Sequence, residues 1–301
     1  MASNIIEFFG YAPSDRSAEA RLARETKACP FVGGTCTKQL RDRSRSGACT
    51  LMPIHGGPVI CCPNRLYAQD YKILRDVARV AFGPNVELVP GNSARTYGPV
   101  GPGVSKVAVF GKRWGGELRL PSRGDSGGYF VDWILAKLSG SGDVESFVAV
   151  EVQSIDTTGN YQAEREAYLR EEPYHASSTA GFNWENVNKR ILPQLIYKGH
   201  VLRRERLCTK GLFFVCPTQV YDKISERLGN NLLDYQLQSG ALSFVWYDIG
   251  PLTKNAGLRD LVQCGEFITT VDQVANAFTS PSNLPPSNVY EDAIRRALLE
   301  T

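Results

Sequence analysis

No stretch of this chain approaches the ~18 apolar residues that a membrane-spanning helix needs, which excludes an integral helical membrane protein. The start, "MASNIIEFFGYAPSD", has no basic region followed by an apolar core, so the pattern of a secretory signal peptide is missing. Charge of one sign is not in surplus either. The net balance over 301 residues is only +3, so any polyanion-binding surface must be local rather than global. There is no internal repeat. Histidine is scarce, with only His55, His175 and His200. That scarcity bears on "RGDSGG" at 123–128, which resembles a serine-protease nucleophile signature. A triad needs a suitably placed histidine and acid; none is evident, and a secreted protease is excluded. A soluble, cytoplasmic protein with no membrane association is expected.

What the chain does hold is apolar material and cysteine. With 43% apolar composition it can bury one large core or two modest ones. In a reducing compartment its eight cysteines are expected as thiols or metal ligands rather than disulfides. Five of them, Cys29, Cys36, Cys49, Cys61 and Cys62, fall within residues 29–62. That stretch is rich in turn formers and charges and poor in periodic apolar pattern, so it is expected to lack a core of its own. A metal is the simplest substitute. The spacing is C-x6-C-x12-C followed by x12 to Cys62 or x11 to Cys61, not the tight double C-x2-C of common zinc ribbons. Four thiolates would fill a tetrahedral structural site of zinc or iron. His55, in "PIHGGP", reads as a loop residue. Cys208, Cys216 and Cys264 are scattered and expected to be buried small apolar groups.

From residue 64 the pattern turns helical, with Leu66, Tyr67, Ile73, Leu74, Val77 and Val80 as an apolar stripe up to residue 82. Strand-like runs follow at 106–111, 129–138 and 146–155, then helices at 162–172 and around 184–192, and a final amphipathic helix at 288–300. Interleaved strands and helices predict an α/β core, a mixed sheet flanked by helices, carrying an N-terminal metal-binding portion. The division expected is a four-cysteine structural region over 1–70 and a second, α/β region over 71–301.

The run "FVAVEVQSI" places Glu151 and Gln153 on one face of an otherwise apolar strand. An ionised carboxylate there is costly unless something pairs with it. The linker "SGSGD" (139–143) suits an antiparallel hairpin with the preceding run. Centring its turn between Ser141 and Gly142 puts Asp132 directly opposite Glu151. Facing carboxylates repel, and a hard divalent cation such as Mg²⁺ between them removes the conflict. A merely solvated face is the competing reading. Glu117 is a further acid just upstream, and Gln153 could orient a water or a phosphate oxygen. Basic residues concentrate at "TKQLRDRSR" (37–45) and at "YKGHVLRRERLCTKG" (197–211), which holds Lys198, Arg203, Arg204, Arg206 and Lys210. Such runs are commonly solvated faces, yet two of them suit a surface that tracks a phosphate backbone.

Together, "CPF…CTK…GAC…CCPNR", "FVAVEVQSIDTTGNY" and "LPQLIYKG" resemble the NotI-type restriction endonucleases, over roughly residues 5–66 and 107–205. The resemblance implies a PD-(D/E)xK nuclease fold with a four-cysteine iron site. It implies Asp132 as the acid of the hairpin's first strand, Glu151 and Gln153 as the E-x-Q pair, and Glu117 as the upstream glutamate. Its cysteine before "PNR" corresponds to Cys62, giving Cys29, Cys36, Cys49 and Cys62 as ligands, with iron favoured over zinc. Gln153 stands where the wider superfamily uses lysine. The expectation is a Type II enzyme that acts as a homodimer on double-stranded DNA. Mg²⁺ on Asp132 and Glu151 would activate a water for in-line attack on phosphorus. The resemblance extends to a family member that reads CGGCCG, so that site and a 5′ overhang are expected. Arg203, Arg204 and Arg206 are candidates for reading guanine, to which arginine donates in a bidentate manner, or for contacting phosphate. A non-catalytic, metal-stabilised DNA-binding protein is the alternative, and a repair nuclease without sequence preference a third.

Overall fold

The computed structural model describes residues 3–118, 130–176, 178–229, 231–252, 257–282, 284 and 286–299. Its centre is a seven-stranded mixed sheet built from β4 (Val86–Pro90), β5 (Ser105–Gly111), β6 (Trp133–Leu138), β7 (Val144–Val152), β10 (Leu212–Pro217), β11 (Ala241–Ile249) and β12 (Leu261–Thr270), in the order β12-β11-β10-β7-β6-β5-β4. Two short strands, β8 (Thr157–Thr158) and β9 (Gly181–Phe182), pair with each other. Pairing is parallel for β4–β5, β7–β10 and β10–β11, and antiparallel for β5–β6, β6–β7 and β11–β12. The mixed α/β sheet flanked by helices is therefore as expected.

Alternation along the strands sorts the two faces. Val148, Val150 and Val152 of β7, with Trp133 and Leu135 of β6, pack against helix α2 (Ala68–Phe82) and against Cys29, Phe31, Cys49 and Cys62. Ala149 and the partly buried Ile134 face the other way. There they meet α4 (Leu192–Leu202), α5 (Thr218–Leu228) and α6 (Val271–Thr279). Side chains at every second position share a face, so Asp132 and Glu151 belong to the α4 side.

The helical stripe begins as a 3₁₀ turn, Pro63–Tyr67, before α2 proper. It is buried as expected except at Val80, which is exposed. The strand expected over 129–138 starts at Trp133, and Tyr129 lies outside the described residues, as does "RGDSGG".

Two expectations are corrected. The cysteine-rich stretch does take part in a core, because it supplies two strands of its own and the residues before it supply a third. β1 (Ser3–Phe8), β2 (Ala48–Pro53) and β3 (Val59–Ile60) form a three-stranded sheet. Ile5, Phe8, Phe9, Leu51, Cys36 and Cys61 are clustered on it, together with Tyr161 and Ala180 from the later chain. Cys264, expected to be buried, is exposed, because it sits on the edge strand β12, where burial alternates. Cys208 and Cys216 are buried as expected.

The stretch before residue 70 is also stitched to the remainder. Arg65 is fully buried, its Nε 2.9 Å from Glu7 and its Nη2 donating to the Arg259 carbonyl at 2.8 Å. Helices α1 (Ala18–Thr26) and α3 (Gln162–Leu169) flank this end, and Glu164 of α3 accepts from the Ile5 backbone at 2.8 Å. The last helix, α7 (Val289–Leu299), buries none of its side chains. No described helix is long and apolar enough to cross a membrane.

Candidate active site

The hairpin register is the one its turn predicts. Trp133 pairs with Val150, Ile134 with Ala149 and Leu135 with Val148, so the next position out sets Asp132 beside Glu151. The turn itself is tied by Ser139 and Ser141, whose hydroxyls bond to the Asp143 backbone and carboxylate. Asp132 Oδ2 accepts from the Val152 amide at 2.8 Å, which locks the carboxylate against β7.

Glu151 is only 8% exposed. Its Oε1 accepts from Lys198 Nζ of α4 at 2.5 Å, while its Oε2 is buried without a partner among the described residues. Burial, then the adjacent Asp132 charge, push Glu151 up to about 7 even though Lys198 pulls it down. Burial likewise raises Asp132, against the opposing pull of the Val152 amide and Lys198. Two acids held side by side with an orphaned inner oxygen form a pocket for positive charge, and Lys198 satisfies only one edge of it. A hard divalent cation fits that donor set.

The carboxylates stand at the mouth of a cleft of about 320 Å³ at one end of the sheet. Asn64 and Tyr67 line it together with Lys112, Arg113 and Gln153. Gln153 is anchored by its amide to the Val215 carbonyl at 3.0 Å, and its side chain donates to the Ser154 carbonyl. A second, apolar cavity of about 460 Å³ also opens on Asp132 and Lys198, and Glu117 is on its wall. Glu117 is exposed.

Lys198 is the residue that reading the chain misplaced. Taken with its neighbours it belongs to a basic run, but the helical turn of α4 separates it from them. Arg203 is paired to Asp272 at 2.6 Å, Lys210 donates to the Ala81 carbonyl, and Arg204 and Arg206 are exposed. The signal that could have found Lys198 is a lysine inside "LPQLIYKG", an otherwise apolar helical stretch, where a lone cation needs a buried acid.

Cys29, Cys36, Cys49 and Cys62 are all buried. Burial, then Cys62, Glu7, Cys36 and Cys29, hold the Cys49 thiol well above the ordinary range. The Cys36 and Cys49 thiols donate to the Lys38 and Gly47 carbonyls, at 3.8 and 3.5 Å. The Cys61 thiol likewise donates to the carbonyls of Cys49 and Ala48, at 3.5 and 3.7 Å. By donor type the four suit a thiophilic ion. Among the described residues, however, no three His, Cys, Asp or Glu side chains are gathered into a ready metal cage.

Residues 109–228 match the family described as Restriction endonuclease NotI. The matched span contains Glu117, Asp132, Glu151, Gln153 and Lys198, and leaves the cysteine segment outside. It supports a NotI-type restriction enzyme, a site-specific deoxyribonuclease. No curated protein matches the chain.

Proposed function

We propose that the protein is a Type II restriction endonuclease making cation-dependent double-strand cuts in a GC-rich palindrome, with CGGCCG and a 5′ overhang the expected outcome. The observation that carries the catalytic part is the pairing of Asp132 and Glu151 on adjacent strands, with Glu151 Oε2 buried and unpartnered. Those two carboxylates would hold Mg²⁺. When bound, such an ion supplies Lewis acidity and lowers the pKa of water.

The remaining work falls to the chain's own groups. The Val152 amide keeps Asp132 turned toward Glu151. Lys198 Nζ holds Glu151 Oε1, fixing the carboxylate's orientation and keeping part of its negative charge neutralised while Oε2 stays available. Gln153, one step further along the same face, positions a water or a phosphate oxygen. Glu117 supports from the wall of the neighbouring cavity. Cys29, Cys36, Cys49 and Cys62 hold a structural iron or zinc. Arg204 and Arg206 are exposed for DNA, whereas Arg203 must first leave Asp272. Two copies, each reading one half-site, match a two-fold palindrome.

The test is cleavage of DNA of known sequence in Mg²⁺ and in EDTA, with the new ends sequenced. Asp132→Ala and Glu151→Ala should abolish cleavage in Mg²⁺ while leaving gel-shift binding in Ca²⁺ intact or tighter, since removing negative charge near phosphates does not weaken attraction. Wild-type cutting by either variant sinks the assignment.

A further inference from the structure

The cleft that holds the two acids is also lined by two cations, Lys112 and Arg113. Lys112 and Arg113 form the tip of the turn that closes β5. Gly111 N donates to the Trp114 carbonyl at 3.0 Å and Trp114 N donates back at 3.2 Å. The turn has little freedom. Gly115 adopts φ +77°, and a Cβ there would stand 1.7 Å from the Val109 carbonyl oxygen. A Cβ on Gly111 would meet the Trp133 ring at 2.2 Å. The turn thus rests on Trp133, the residue next to Asp132. Trp133 packs on Tyr67 and Tyr71, with ring centroids 5.6 and 5.4 Å apart, and Tyr71 packs on Trp114 at 5.7 Å. That aromatic stack sets the distance between the turn and the carboxylates.

Lys112 and Arg113 are both exposed and line the same cleft as Asp132, Glu151 and Gln153. Among the described residues neither forms an ion pair or a side-chain hydrogen bond. Nearby cations differ. Lys198 is held by Glu151 and Arg203 by Asp272, while Arg190 lies 3.5 Å from Asp156. Below the turn, Trp133 Nε1 donates to the Tyr67 hydroxyl oxygen at 3.1 Å.

We infer that Lys112 and Arg113 form a backbone clamp that binds a phosphate of the strand being cut and holds it against the carboxylate wall. The inference rests on the deoxyribonuclease reading. A phosphodiester approaching two acids is repelled by them, and cations lining the same cleft offset that repulsion. A guanidinium can donate to two phosphate oxygens at once. The ligand class is the sugar–phosphate backbone and not a base edge, so the clamp positions DNA without reading its sequence.

The experiment is equilibrium binding in Ca²⁺ to a cognate and a scrambled duplex over a salt series. Wild type, Arg113→Ala, Arg113→Lys and Lys112→Ala/Arg113→Ala are compared, with single-turnover cleavage in Mg²⁺ alongside. The double variant should weaken both duplexes by the same factor and flatten the slope of log affinity against log salt by about 0.9 per lost phosphate contact. Its cleavage rate should fall as well. Arg113→Lys should restore the slope. An unchanged slope and affinity in the double variant overturn the clamp, and so does weakening confined to the cognate duplex, which would mark a base reader. If wild-type protein neither binds nor cuts DNA, the underlying reading fails instead.

Discussion

At the scale of single residues, the pair Glu151–Lys198 decides how the site behaves with pH. Folding raises Glu151 from its ordinary 4.5 to about 7, so the folded chain holds that proton more tightly than the unfolded one. The stabilisation is fully present below about 4.5 and is lost as pH rises to about 7. Without added magnesium, Glu151→Gln should therefore gain stability relative to wild type across that window, by on the order of 1–3 kcal/mol. Thermal denaturation of both proteins over a pH series checks this. A constant difference between the two curves would show that Glu151 does not titrate there. Lys198→Met removes the cation that holds Glu151 in place. Cleavage should drop about 100-fold, the scale of a misplaced catalytic group, while DNA affinity in Ca²⁺ changes far less.

Among elements, the β6–β7 hairpin and the cysteine-rich segment differ in what holds them. The hairpin is specified locally, by a turn of serines, glycines and aspartate between two alternating runs, and its register needed nothing distant. The cysteine segment draws on several sources: β1 before it, Tyr161 and Ala180 after it, and the sheet face beneath it. If its four buried thiols bind an ion, purified protein should carry about one iron or zinc per chain, as a four-thiolate site implies. Cys49→Ser should lower both metal content and melting temperature. Cys264→Ser, at an exposed edge-strand position, should change neither. Elemental analysis beside thermal melts separates the outcomes, and metal-free wild-type protein would remove the idea.

For the whole molecule, if one carboxylate pair serves one strand, a double-strand cut at a palindrome is served most simply by two copies related by a two-fold axis. Sedimentation with a cognate duplex should give two chains per DNA, and the sequenced ends should be symmetric about the site centre. A single chain on the duplex, or asymmetric ends, would refute the dimer. The apolar stripe of α7, with Tyr290, Ile294 and Leu298 exposed, contributes no buried side chain to the core.

The sequence by itself determined the β6–β7 hairpin. Period-two alternation set which residues share a face, turn chemistry set the register, and together they put Asp132 beside Glu151. It also determined the mixed α/β class, through interleaved strand and helix patterns, and marked the buried cysteines by their clustering. Only the tertiary structure decided what completes the site. Lys198 comes from a helix 47 residues beyond Glu151, and Lys112 and Arg113 from the turn after β5, which lines the same cleft. Strand periodicity reports one element's faces and carries no information about which helix or loop will cover them. Burial adds the last part, because the same Glu151 is an ordinary acid in the extended chain and an elevated one once α4 and the sheet exclude water from it.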